Sequence, residues 1–63
     1  MSDIPLARTM VSQLRTKLQT AEFVRRKGES EKAVEYLEAC AALAASIESA
    51  CHRAIRNTEK GGE

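Results

Sequence analysis

Apolar residues recur along two stretches of this chain at steps of three and four, the spacing that keeps side chains on one stripe of an α-helix. The first stripe runs from Ile4 to Ala21 and the second from Ala33 to Ala54. A reversal of the chain near Gly28 would bring the two stripes face to face. Seven facing pairs result, and in each pair the residue numbers sum to 58: Arg25/Ala33, Ala21/Leu37, Leu18/Cys40, Leu14/Ala44, Val11/Ile47, Ala7/Cys51 and Ile4/Ala54.

In most of these pairs a small residue faces a larger one, as happens when two packed helices interdigitate. The pattern predicts an all-α fold, an antiparallel two-helix hairpin that forms a single domain over residues 1–63. We expect helix 1 over about 4–27, a turn over 28–30, helix 2 over about 31–57 and a flexible tail over 58–63.

The residues at the predicted helix ends agree with these boundaries. Ser2 or Asp3 can cap helix 1, and Pro5 is tolerated in its first turn because the missing N–H would have no partner there. Gly28 suits the left-handed residue that closes a helix. Ser30 is a natural N-cap for helix 2.

The chain has little material for a core of its own. It has 63 residues and two aromatic side chains, Phe23 and Tyr36, and small scaffolds of this kind commonly need disulfides, a metal or a partner chain. Cys40 and Cys51 lie on one predicted helix about 16 Å apart, too far for a disulfide. Two cysteines and one histidine do not make a zinc site. We therefore expect self-association into a four-helix bundle, as a dimer or a higher oligomer.

Catalytic chemistry has little support in the sequence. His52 is the single histidine, and on a helix it diverges from its neighbour Cys51 by about 100°. No Gly-rich phosphate loop or Ser/His/Asp arrangement is present. Free cysteines are commonly buried, so we interpret Cys40 and Cys51 as small core residues. The sequence predicts no enzyme, no catalytic residues, no cofactor and no metal site.

Hydropathy and charge indicate where in the cell the protein resides and which kinds of partner it can bind. The sequence has no apolar run long enough to span a membrane and no export signal at its N-terminus, so we expect a cytoplasmic protein with no membrane partner. Residues 1–28 carry six basic and two acidic side chains, whereas residues 29–63 carry four basic and seven acidic ones. This asymmetry fits attraction between the two helices. A basic outer surface for a polyanion is the alternative interpretation.

The strongest candidate binding residues lie on the side of helix 1 opposite the seam. Phe23 falls there, although burying an aromatic ring contributes roughly 1.5–3 kcal/mol. The ring could fold against the turn or a third helix, anchor a protein partner, or stack on RNA bases while arginines hold phosphates. The candidate RNA- or partner-binding residues are Arg8, Arg15, Gln19, Phe23 and Arg26.

With these residues, the chain resembles the plasmid Rop family along its whole length: 63 residues, a central turn, small and large residues alternating in the layers, cysteines in the second seam and a polar tail. The resemblance implies a dimeric antiparallel four-helix bundle that binds paired RNA stem-loops. In that family an outward Phe of helix 1, with nearby Gln and basic groups, contacts RNA. The matching residues are Phe23, Gln19, Arg15 and Arg26. The chain departs from the pattern because Gln19 precedes Phe23, the ring lies near the turn and no Asn accompanies it.

A second resemblance concerns Arg15 to Thr20 and Arg53 to Ile55, which look like fragments of phage anti-CBASS sponge proteins. These are helical-hairpin oligomers that sequester cyclic oligonucleotides. The resemblance implies an alternative nucleotide site in which neighbouring protomers contribute basic groups and hydroxyls: Arg15, Thr16, Lys17, Thr20, Arg53 and Arg56. The leading prediction is a small RNA-binding regulator. The alternatives are such a sequestering protein or a module that inhibits a protein client.

Overall fold

Two α-helices make up the structure. The computed structural model describes residues 3–61, in which α1 spans Ile4–Arg26 and α2 spans Ser30–Glu59. The helices pack against each other, and no strand occurs within these residues. The Cα atoms extend over 50 × 14 × 12 Å, so the molecule is a rod two helices wide. The predicted all-α hairpin is confirmed.

The turn closes α1 with two backbone hydrogen bonds. Gly28 adopts a φ of +85°, which glycine reaches without the steric cost that other residues meet. Its N–H donates to the carbonyl of Arg25 at 3.0 Å, and the N–H of Glu29 donates to the carbonyl of Val24 at 3.0 Å. This is the Schellman arrangement, which satisfies the last carbonyls of the helix. The sequence signal at Gly28 is therefore confirmed.

The second helix is longer than predicted at both ends. The carbonyl of Glu29 accepts a hydrogen bond from the N–H of Ala33 at 3.1 Å, so Glu29 is the N-cap and Ser30 is already helical. The prediction of Ser30 as the cap is therefore wrong by one residue. At the other end α2 continues to Glu59 rather than to residue 57. Thr58 and Glu59 are helical and do not belong to a tail, while residues 62–63 lie outside the described part of the chain.

Asp3 occupies the N-cap position of α1 but makes no side-chain cap hydrogen bond. Its carboxylate instead accepts a hydrogen bond from the Nε of Arg53 at 3.2 Å. This ion pair joins the start of α1 to the last third of α2, at the end of the rod opposite the turn. The other candidate cap, Ser2, lies outside the described residues.

Only one member of each predicted pair is buried or half-buried in the hairpin. The other member is exposed, because two helices touch along a narrow stripe, and seam residues three or four positions apart diverge by about 40–60° around their helix. The expectation that both members close the seam of one hairpin is therefore wrong. The inward members are Ala7, Leu14, Ala21, Ala33, Cys40, Ile47 and Ala54, and the exposed members are Ile4, Val11, Leu18, Arg25, Leu37, Ala44 and Cys51.

The core of the single hairpin consists mainly of small residues. The buried residues are Ala21, Val24, Ala33, Cys40 and Ala50. Val24 and Ala50 belong to a neighbouring stripe that the predicted pairs did not include. Cys40 is buried as predicted, whereas Cys51 is exposed, which contradicts its interpretation as a core residue of the chain.

Candidate functional site

Five predicted binding residues lie on one side of α1, which we call the outer surface. They are Arg8, Arg15, Gln19, Phe23 and Arg26, and all are exposed. Their spacing along the helix keeps them within roughly a quarter turn of one another. Phe23 exposes 58% of its surface, so the prediction that its ring points away from the other helix is confirmed for the single hairpin.

The ring of Phe23 has a cationic neighbour that the sequence analysis missed. The Nζ of Lys27 lies 4.7 Å from the centroid of the ring, within the range of a cation–π interaction. The signal was present in the sequence, since Lys27 follows Phe23 by four residues, the spacing of side chains that touch along a helix. An aromatic face and an ammonium group are therefore presented together near the turn.

The arginine of the outer surface closest to the turn is engaged in an ion pair. Nη2 of Arg26 donates to Oε2 of Glu22 at 3.0 Å, and the two side chains are 76% and 65% exposed. A solvent-exposed pair of this kind contributes about 0.3–0.5 kcal/mol. A phosphate oxygen could therefore take the place of Glu22 at little cost.

A groove of about 860 Å³ runs along α1 beside the outer surface. Leu18 and Leu37 line its apolar side, and Arg15, Gln19 and Arg26 line its polar side. Part of the predicted binding set therefore borders an apolar channel instead of standing alone on a solvated helix.

A second groove of about 330 Å³ continues along the same side of the hairpin towards its open end. Val11 lines both grooves, and Ile4 and Cys51 line the second one. We call this side of the molecule the open apolar face, and it comprises Ile4, Val11, Leu18, Leu37, Ala44 and Cys51. Isolated exposed leucines are common on proteins, whereas larger exposed apolar strips are typical of interaction surfaces.

The alternative nucleotide site is divided between two regions of one chain. Arg53 pairs with Asp3, and Arg56 follows it by less than one turn at that same end of the rod. Arg15 lies 12 residues beyond Asp3 on α1, a distance of about 18 Å along the helix. The two groups of residues therefore do not converge within a single hairpin.

The hydroxyls of this alternative set donate to their own helix, and its lysine is half-buried. The Thr16 hydroxyl donates to the carbonyl of Ser12 at 3.2 Å, and the Thr20 hydroxyl donates to the carbonyl of Thr16 at 3.1 Å. Lys17 is half-buried beside α2. The two hydroxyl donors are thus directed along their own helix, which leaves this stretch less suited to an anion than the outer surface.

Between residues 3 and 61, no group of three or more His, Cys, Asp and Glu side chains is placed to hold a metal ion. Neither of the helices described there combines the length and the apolar character needed to cross a membrane.

Comparison with known proteins finds no matching family model, no matching curated protein and no matching solved structure. The two family resemblances therefore stay predictions, and the observations that bear on function are the outer surface and the open apolar face.

Proposed function

We propose that the protein is a small, non-enzymatic, cytoplasmic regulator that acts as a homo-oligomeric helical bundle and binds RNA through the outer surface of α1. The observation that carries the proposal is the exposed ring of Phe23. It lies under Lys27 and one helical turn from Gln19 and Arg26, the combination of an aromatic face with cationic and amide groups that single-stranded or looped RNA requires.

Each group of the outer surface has a role in this proposal. The ring of Phe23 stacks on an unpaired base, and the Gln19 amide, which both donates and accepts, contacts a base edge or a ribose hydroxyl. Arg8, Arg15 and Arg26 hold phosphates along the strand. Arg8 and Arg26 are 18 residues apart, about 27 Å along the helix, so the surface is long enough for several nucleotides.

Self-association and RNA binding use different sides of the hairpin. The open apolar face is centred on residues such as Val11 and Leu18, whereas Phe23 lies well around the helix from them. A second hairpin on the open apolar face leaves the ring of Phe23 and the nearby Lys27 accessible, whereas Arg15, Gln19 and Arg26 line the groove beside that face and lie at the edge of the contact. This separation supports a bundle in which the open apolar face joins the subunits and the ring of Phe23 on the outer surface contacts the ligand.

The test is a titration of a labelled pair of complementary RNA stem-loops, followed by fluorescence anisotropy at several salt concentrations. Three phosphate contacts give a slope of log affinity against log salt of about −2 to −3. Arg15→Gln should reduce that slope by about one. Phe23→Ala should weaken binding about 5- to 150-fold, the loss expected for one stacked base, with an unchanged slope.

Arg56→Gln is the matched control, because it removes one positive charge from α2 at the end of the rod away from Phe23. It should leave the affinity within about twofold of the original. RNA binding that falls equally in Arg56→Gln and Arg15→Gln would reflect net charge alone and would contradict a site on the outer surface. Absence of any salt-dependent binding would remove the RNA proposal altogether.

A further inference from the structure

The two faces of the Phe23 ring lie in different environments. The Nζ of Lys27 lies over the ring, 4.7 Å from its centroid, so the ammonium covers one face. Long side chains on a helix lean towards its N-terminus, and Lys27 therefore reaches back over the residue four positions before it. Phe23 nevertheless exposes 58% of its surface. The face turned away from Lys27 is the one that a ligand can reach.

The end of α1 holds the two residues in this arrangement. The N–H of Lys27 donates to the carbonyl of Phe23 at 3.3 Å, so the last turn of the helix carries both. Gly28, with its φ of +85°, closes the helix directly after Lys27. The backbone under the contact is therefore ordered, and the side chains have only their rotamers to choose.

Lys27 has no acidic partner within residues 3–61. The nearby carboxylates are engaged elsewhere, because Glu22 pairs with Arg26 and Glu29 pairs with Lys32. The ammonium of Lys27 is thus left over the ring, whereas the other two cations of this region are neutralised by a carboxylate.

We infer that Lys27 is a positioning residue of the RNA site, which holds the ring of Phe23 in place and limits it to one stacked base. The ammonium fills one face of the ring, so an unpaired base stacks on the opposite face and no second base encloses the ring. The inference rests on the RNA binding proposed above. It adds the form of the ligand, a loop that turns out a single base at each copy of Phe23.

The contact acts by raising the fraction of the protein whose ring is ready to bind. An exposed phenylalanine has several rotamers, and affinity falls in proportion to the population of the competent one. A cation–π contact at an exposed site favours one arrangement by about two- to fivefold. A direct contact between Lys27 and a phosphate would instead act through counterion release and would change the dependence of affinity on salt.

The test is a double-mutant cycle with the labelled pair of stem-loops, measured by fluorescence anisotropy. Lys27→Met keeps an unbranched side chain and should weaken binding about two- to fivefold, with an unchanged slope of log affinity against log salt. The same substitution should have no further effect in Phe23→Ala, which has no ring to hold. Lys27→Arg should keep most of the affinity, because guanidinium groups also stack on aromatic rings.

Lys32→Met is the matched control, because Lys32 also lies near the turn but pairs with Glu29 at 3.2 Å instead of with the ring. It measures the effect of losing one positive charge at this end of the rod, and that effect should be the same with and without the ring of Phe23. The inference is wrong if Lys27→Met behaves like this control or reduces the salt slope by about one.

The number of stacked bases is tested with RNA in which one loop nucleotide at a time lacks its base. Removal of the base at one position in each loop should reproduce the loss seen in Phe23→Ala and should have no further effect in that variant. Two adjacent positions that both depend on Phe23 would show a ring enclosed between two bases, which would overturn the inference.

Proton NMR gives a readout that does not depend on affinity. The ring current of Phe23 should shift the ε-methylene protons of Lys27 upfield, and this shift should persist at saturating RNA. A shift that is absent, or is lost when RNA binds, would show that the ammonium does not hold the ring and would overturn the inference while RNA binding stands. Absence of RNA binding by the original protein would overturn both proposals.

Discussion

Leu18→Glu should leave the protein monomeric or unfolded, whereas Phe23→Glu should change neither its assembly nor its melting temperature by much. In a single hairpin the two positions are similarly accessible, since Leu18 is 45% exposed and Phe23 is 58% exposed. In the proposed bundle they differ, because Leu18 lies on the open apolar face and Phe23 does not. A charge left without a partner inside an interface costs about 3–5 kcal/mol.

These two variants are matched because the same glutamate replaces an exposed apolar side chain in the same helix. Sedimentation equilibrium measures the mass of each variant, and far-UV circular dichroism measures its melting. Loss of assembly in Leu18→Glu alone identifies the open apolar face as the interface. If Leu18→Glu keeps its assembly and its melting temperature as Phe23→Glu does, the hairpin is stable without covering that face.

Leu14→Ala should lower the free energy of unfolding by about 2–5 kcal/mol per chain, the usual cost of truncating a leucine in a core. Leu14 is half-buried by α2 within one hairpin and stands in the central layer of the proposed bundle. Truncation there would leave a cavity shared by both copies. Urea unfolding at a fixed protein concentration measures the change.

Leu6→Ala is the control for this truncation, because it removes the same atoms from the same helix. Leu6 is 47% exposed and stands outside the seven layers, and surface substitutions usually change stability by about 0.5 kcal/mol or less. Equal losses in the two variants would show that Leu14 is not a central core residue.

The helices and their antiparallel register could be predicted from the sequence, because both depend on short-range patterns. The apolar spacing predicted the two stripes, and Gly28 predicted the turn. Because the connection between the helices is short, the facing residues are those whose numbers sum to 58. Which member of each pair points inwards could not be predicted. That choice depends on which sides of the two helices pack together. Val24 and Ala50, for example, are buried although they belong to a stripe that the spacing alone did not distinguish.

The parts of the candidate site that depend on the position of a residue around its own helix could be predicted. The outward position of Phe23 follows from its place opposite the seam, and the contact with Lys27 follows from the four-residue spacing. The pairing of Arg53 with Asp3 joins residues that are 50 positions apart, so no local pattern indicates it. The distance between Arg53 and Arg15, by contrast, follows from the predicted antiparallel register, which already brings Arg53 level with the start of helix 1.

The most direct test of the central claim is thermal melting over a hundredfold range of protein concentration, with the mass measured by sedimentation on the same samples. If the hairpin needs a second copy to cover its open apolar face, the melting temperature must rise with concentration, because assembly is coupled to folding. The sedimenting mass should then be at least twice 6.9 kDa. A folded species of one chain whose melting temperature is independent of concentration would contradict the account.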